Sequence, residues 1–210
     1  MYKIIICDQQ GLSRTSLGTL LAHEADIEVV GECASADAAL RLCRSRDPDL
    51  AVVDAALGGM GAIELTRRMR RIAPTIQVVA IGLLTGGPMV LRLLEAGTDG
   101  YVARGAPFEE LLDALRHVAA GERYVSSATA RELALAAASE DATPLGRLTP
   151  REMSVLLMVS QGQRRQEISA NLSLSPKTVS TYRSRVLKKL GARSDVDLTR
   201  LSIAHGLIPG

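Results

Sequence analysis

Five short apolar runs, separated by amphipathic stretches, restrict the first 121 residues more than any other feature of the chain. The runs are Lys3-Ile4-Ile5-Ile6-Cys7, Ile27-Glu28-Val29-Val30, Leu50-Ala51-Val52-Val53, Ile76-Gln77-Val78-Val79-Ala80-Ile81 and Gly100-Tyr101-Val102-Ala103. Helical periodicity covers 12–23, 35–45, 61–72, 87–96 and 107–120 between and after them. β-branched runs of this length, bounded by turn residues and alternating with helices, predict a doubly wound parallel sheet of five strands in the order 2-1-3-4-5. In such a sheet the chemistry belongs at the carboxyl ends of the strands.

Three polar residues fall at such ends: Asp8 after the first strand, Asp54 after the third and Arg104 after the fifth. Taken singly, each aspartate reads as an N-cap of the helix that follows. Taken together, two carboxylates and a cation are expected to converge on one crevice. His23, His117 and His205 each sit on a helical pattern, and no nucleophile–histidine pair accompanies the carboxylates, so an enzyme is not expected.

Charge divides the chain where the strands stop. Of 25 basic and 23 acidic residues, eleven basic and only four acidic lie from Arg147 to Gly210, which leaves that end at +7 and the remainder at −5. An acidic front and a basic back predict two domains, the back one facing a polyanion. There is no apolar run near the ~18 residues of a membrane span, and the start lacks a signal-peptide layout. The three cysteines, Cys7, Cys33 and Cys43, have no metal-ligand spacing and predict buried reduced thiols in a cytoplasmic protein. The expected boundaries are a first domain over 1–121, a linker over 122–146 with a short alanine-rich helix, and a basic domain over 147–210. A flexible joint is expected at about 139–147.

The basic end is punctuated as helices. Thr149-Pro150-Arg151-Glu152 reads as an N-cap, a proline at the first position and a capping box. A first helix carries Val155, Leu156 and Val159 and stops at Gly162; a second runs from Arg164 to Leu172. Ser173-Leu174 turns the chain, and Ser175-Pro176 opens a third helix with Val179, Tyr182, Val186, Leu187 and Leu190 as apolar anchors. Asp195 and Asp197 start a fourth, with Leu198, Leu201 and Ile203 inward. Helix–turn–helix order with a basic, capped second member places early side chains of that member in a DNA major groove. Lys177, Ser180, Thr181, Ser184 and Lys188 share its outer face; the short Ser180, Thr181 and Ser184 suit base edges. Lys177, Arg183, Arg185, Lys188, Lys189, Arg164 and Arg165 suit phosphates, and Thr178 joins the set at the helix start.

Residues 1–121 resemble the receiver domain of bacterial two-component response regulators. Asp8, Asp54, Gly61 and the segment Gly100–Ala106 carry that resemblance. It implies Asp54 as the phospho-acceptor position, an acidic pair holding Mg²⁺, a hydroxyl residue and a lysine on the phosphoryl group, an aromatic residue (here Tyr101) that transmits the signal, and a sensor kinase upstream. The chain departs from the pattern at four points. The second acid is Gln9, the hydroxyl position is Gly82, the lysine is Arg104 and a loop proline is Gly58. An amide for a carboxylate removes a negative charge from a site that wants hard oxygen ligands, so Mg²⁺ is expected weakly at Asp8 and Asp54 or not at all. Gly82 offers no hydroxyl, and Arg104 is a planar fork suited to clamping carboxylates. A standing Asp54–Arg104 pair and a receiver that works without aspartyl phosphate are expected.

Residues 147–210 resemble the LuxR-type helix–turn–helix of the NarL/FixJ regulators, through Leu148-Thr149, Arg151-Glu152, Val155-Leu156, Gly162, Glu167-Ile168, Leu172, Leu174-Ser175, Thr178-Val179 and Lys189-Leu190. Ser175–Arg183 and Ser194–Thr199 are most similar to the GacA/UvrY/SirA branch. The expectation is a cytoplasmic, homodimeric, sequence-specific regulator of transcription that binds double-stranded DNA. The alternatives are a conventional regulator switched at Asp54, or a protein- or ligand-binding regulator acting through its receiver-like domain.

Overall fold

The computed structural model describes residues 1–83, 87–138, 144–205 and 207–208. Its strands are β1 (Tyr2–Cys7), β2 (Ile27–Cys33), β3 (Leu50–Asp54), β4 (Gln77–Gly82), β5 (Gly100–Ala103) and β6 (Tyr124–Val125). Helices α1 (Gly11–Leu21), α2 (Ala36–Arg46), α3 (Ala62–Ile72), α4 (Pro88–Glu95) and α5 (Phe108–Ala119) follow the first five strands in turn. All pairings are parallel and the order is β2-β1-β3-β4-β5-β6. The sheet has one strand more than the five expected. Tyr124–Val125 add to the edge beside β5, because the chain leaving α5 runs back along Gly100–Tyr101. Two residues carry no periodicity to read.

Burial explains the layering. Every residue of β3 is buried, as a central strand covered on both faces requires. Ile4 and Ile6 pack under α1 and α5, whereas Ile5 and Cys7 face α2, α3 and α4 on the other side. Period-two alternation along one strand thus feeds two cores. Cys7, Cys33 and Cys43 are buried free thiols.

After α6 (Ser127–Ala138), a 3₁₀ turn at Pro144–Arg147 leads into α7 (Pro150–Ser160), α8 (Arg165–Leu172), α9 (Pro176–Leu190) and α10 (Asp195–Ala204). The joint expected at 139–147 lies partly outside the described residues; its end, 144–147, is a turn with Leu145 in the core. Thr149 and Glu152 cap α7 reciprocally, Ser175 caps α9 and Ser194 with Asp197 caps α10. Gly191 ends α9 at φ +64°, a conformation that penalises a β-carbon. Ile203, expected inward, is 41% exposed; the inward positions of α10 are Leu198 and Ser202, whose hydroxyl meets Ser160 at 2.8 Å. No helix among the described residues is long and apolar enough to cross a membrane.

Candidate functional site

The ends of β1, β3 and β5 meet as sheet order demands. Arg104, just past β5, forms ion pairs with Asp54 at 2.7 Å and with Asp8 at 3.1 Å. One guanidinium therefore bridges two buried carboxylates, each through a different nitrogen of its planar fork. The same guanidinium donates to Ser13 Oγ at 2.9 Å, and Ser13 donates to Asp8 at 2.8 Å. The Gln10 N–H holds the other Asp8 oxygen at 2.8 Å, and Arg14 donates to the Asp8 carbonyl at 2.7 Å. Asp54 is 4% exposed and accepts from the Ala56 N–H at 3.0 Å. Burial pushes the Asp54 carboxyl up and Asp8 adds to this, against the pull of the Ala56 N–H and Arg104. Burial opposes the charge on Arg104, but Asp54 and Asp8 outweigh it and raise its pKa.

Two glycines beside this cluster are occupied spaces. A β-carbon built on Gly82 would collide with the Tyr101 hydroxyl and lie 2.9 Å from Ala55 Cβ. Tyr101 is buried, so its ring fills the position from which a side chain at 82 would project. A β-carbon on Gly58 would meet the Gln9 side-chain amide at 2.6 Å. Gln9 thus lies against the loop after β3.

The C-terminal helices pack against this rim. A cleft of ≈ 700 Å³ is lined by Gln9, Asp54 and Gly58 on one side and by Gln161, Gln163 and Asn171 on the other. Gln163 donates to the Gly59 carbonyl at 2.8 Å. Glu64 on α3, 5% exposed, receives Arg68 at 3.0 Å and Arg151 of α7 at 2.5 Å. Arg68 continues to the Asn171 carbonyl at 2.6 Å and Ser173 Oγ at 3.2 Å. Arg92 on α4 holds the Gly146 carbonyl at 3.1 Å and the Leu148 carbonyl.

Helix α9 rests on α7, α8 and the 3₁₀ turn, with Val179 and Val186 fully inside. Lys177, Thr181, Ser184, Arg185 and Lys188 are exposed on its outer side, and Arg164 and Arg165 are exposed at the start of α8. The Thr181 hydroxyl donates to the Lys177 carbonyl, and Ser180 donates to Pro176 while accepting from Arg165. Their remaining lone pairs are acceptors. Arg185 lies over the Tyr182 ring.

Two models of protein families match the chain. "Response regulator receiver domain" matches residues 4–116, and "Bacterial regulatory proteins, luxR family" matches residues 146–202. The chain is 38% identical over 210 residues to the response regulator GacA of Pseudomonas aeruginosa, covering 99% of this chain and 98% of that one. It is 35% identical over 209 residues to the response regulator UvrY of Escherichia coli, at 99% and 96% coverage. The chain belongs to the luxR-type response regulators. Among solved structures, a two-component response regulator of the LuxR family from Aurantimonas is similar with TM-score 0.63 and 31% identity, over 66% of this chain and 99% of that one. RcsB from Salmonella enterica serovar Typhimurium, bound to promoter rprA with the phosphomimetic BeF3−, shares the fold at TM-score 0.74 and 21% identity, over 95% and 96%.

This luxR-type response regulator carries a receiver domain and a DNA-binding domain in one chain and is a regulator of transcription, not an enzyme. The receiver family's Mg²⁺ does not fit the donor set. Asp8 and Asp54 are both engaged by the Arg104 guanidinium, and the residue next to Asp8 is the amide Gln9, not a second carboxylate. A cation already fills the place.

Some residues of the expected DNA-facing set also have partners within the protein. Lys189, an exposed residue near the end of α9, bonds the buried Glu152 carboxylate at 2.7 Å and the Arg147 carbonyl at 3.0 Å through its Nζ. Arg183 pairs with Asp195 at 2.7 Å, and Thr178 completes the Ser175 cap at 2.8 Å. Ser13, Arg14, Glu64, Arg68 and Arg151 were not legible as site residues. Ser13 and Arg14 become site residues only because α1 lies beside the end of β1, and Glu64, Arg68 and Arg151 only because α3 meets the C-terminal helices.

Proposed function

We propose that this protein is a sequence-specific DNA-binding regulator of transcription whose receiver domain works without an aspartyl phosphate. The observation that carries this reading is Arg104 bridging Asp8 and Asp54. A positive charge placed where a metal and a phosphoryl group would otherwise be drawn in leaves the cluster neutralised from within. Gly82, with Tyr101 filling its side-chain space, supports the same reading, since residue 82 has no hydroxyl of its own to contact a phosphoryl oxygen.

DNA recognition in this reading uses α9 as the groove helix. Ser180, Thr181 and Ser184 approach base edges, while Lys177, Arg185, Lys188, Arg164 and Arg165 take phosphates. Residues 1–121 form the regulatory domain and 147–210 the DNA-binding domain. A homodimer would meet two half-sites roughly 34–36 Å apart; the exposed Val196 and Ile203 on α10 suit a dimer contact. A sensor kinase is the partner that a receiver domain would normally face.

The test is incubation with Mg²⁺ and acetyl phosphate followed by intact-mass measurement, with genome-wide mapping of bound sites for wild type and Asp54→Ala in parallel. No adduct and matching maps are expected. A stoichiometric adduct lost in Asp54→Ala would overturn the phosphate-free reading and leave a conventional regulator switched at Asp54. A second reading, in which a small ligand or a protein sets the state, draws on the cleft between Asp54 and Asn171.

A further inference from the structure

Cys7 and Cys33 end neighbouring parallel strands and are register partners, the last pair of the β1–β2 ladder. Both side chains face the same core, beneath α2. Adjacent strands lie about 4.8 Å apart, inside the span of Cα separations that a disulfide bridges. Side-chain separations across a parallel pair are near the same value, slightly longer than a relaxed disulfide prefers, so a bond here would be strained and easily reduced.

The two thiols are unequally placed. The Cys33 thiol donates to the Ile6 carbonyl at 3.5 Å, which lays its sulfur against β1 beside Cys7. Cys33 is 7% exposed at the strand end and Cys7 is fully covered. Cys33 is therefore the sulfur that a small oxidant meets first, and Cys7 is the partner behind it. Cys43, on α2, belongs to the same cluster but is pushed up to about 11, chiefly by burial.

We propose that Cys7 and Cys33 form a peroxide-sensitive dithiol pair that closes reversibly to a disulfide. The Cys33 thiolate attacks hydrogen peroxide, the O–O bond breaks, and Cys33 sulfenic acid and hydroxide result. Cys7 sulfur then attacks the sulfenic sulfur; the S–O bond breaks and the Cys7 proton leaves with the hydroxyl as water. The two thiols are oxidised by two electrons and the peroxide is reduced to water. The Asp8 N–H donates to the Cys33 carbonyl at 3.1 Å, so the bond would form directly against the backbone that positions Asp8 and, through it, Arg104.

The test is treatment of the reduced full-length chain with hydrogen peroxide, then unfolding in N-ethylmaleimide, intact-mass measurement and non-reducing peptide mapping. The expected product has lost about 2 Da, the two thiol hydrogens, takes up maleimide at Cys43 alone, and yields a Cys7–Cys33 linked peptide that dithiothreitol releases. Cys43→Ser should keep the link, and Cys33→Ser should abolish it with the melting temperature little changed. Full alkylation of all three thiols after peroxide, a link running through Cys43, or sulfinic and sulfonic mass gains without a link would each overturn the proposal.

Discussion

The hydroxyl of Tyr101 lies where the β-carbon of any residue but glycine at position 82 would have to be. The two positions are neighbours across the β4–β5 pairing, where Gly82 stands beside Ala103 and Tyr101 beside Ala80. A side chain at 82 and the buried pose of Tyr101 therefore exclude each other. Gly82→Thr should destabilise the protein by about 1–3 kcal/mol, the usual cost of forcing extra atoms into a packed core. Gly82→Thr combined with Tyr101→Ala should cost less than the two single changes added together, measured by chemical denaturation. Strict additivity would show that the two groups do not compete for space.

Arg104 neutralises two carboxylates that are otherwise buried together. Arg104→Ala leaves them facing each other unpaired, and a loss of about 3 kcal/mol or more is expected from the break of a buried pair. The paired replacement of Asp54 by Asn in the Arg104→Ala background should recover part of that loss. Thermal unfolding of the three proteins checks this, and no recovery would mean that Asp54 is not the group left in distress.

Glu64 receives arginines from both halves of the chain, Arg68 from α3 and Arg151 from α7. Glu64→Gln keeps the shape and removes the charge that draws them together. Tryptic cleavage after Arg147, in the turn that Arg92 holds to α4, should then quicken several-fold. An unchanged cleavage rate would show that this ion cluster does not hold the two halves together.

The C-terminal helices should respond to acid through Glu152. Burial favours its protonated form, but Lys189 and the Thr149 N–H outweigh that and lower its pKa from the ordinary 4.5. A folded pKa below the unfolded one means stability that is present above about pH 4.5 and disappears as pH falls through the folded value. Glu152→Gln should flatten that part of the stability profile, followed by circular dichroism between acidic and neutral pH. A profile as steep as that of wild type would assign the acid sensitivity elsewhere.

Lys177 and Lys189 provide a contrast along one helix. Lys177 is exposed, so Lys177→Ala should weaken DNA binding on all sequences and lower the salt slope by about 1. Lys189 is bound to buried Glu152, so Lys189→Ala should lower the melting temperature and leave the salt slope nearly unchanged. Fluorescence anisotropy against salt concentration separates them. A reduced slope for Lys189→Ala would return that residue to the phosphate set.

Much of the architecture was readable in the chain because it depends on local chemistry. Ser175-Pro176 starts a helix, Gly162 stops one, and apolar runs alternating with helical stretches are strands covered on both faces. The convergence of Asp8, Asp54 and Arg104 was readable too, since strand order alone brings the ends of β1, β3 and β5 to one rim. The sixth strand was not, because a two-residue edge pairing is created by the direction in which α5 releases the chain.

What the sequence determined by itself is the set of elements and the replacements at 9, 58, 82 and 104, all of them matters of residue type and spacing. Only the tertiary structure decided that Tyr101 occupies the space at Gly82, that Gln9 covers Gly58, that Lys189 belongs to Glu152, and that Cys7 stands beside Cys33. The physical reason is the same in each case. These contacts join residues from 19 to 49 positions apart, and which groups meet at that separation is set by strand register and helix packing, not by any local preference of the residues themselves.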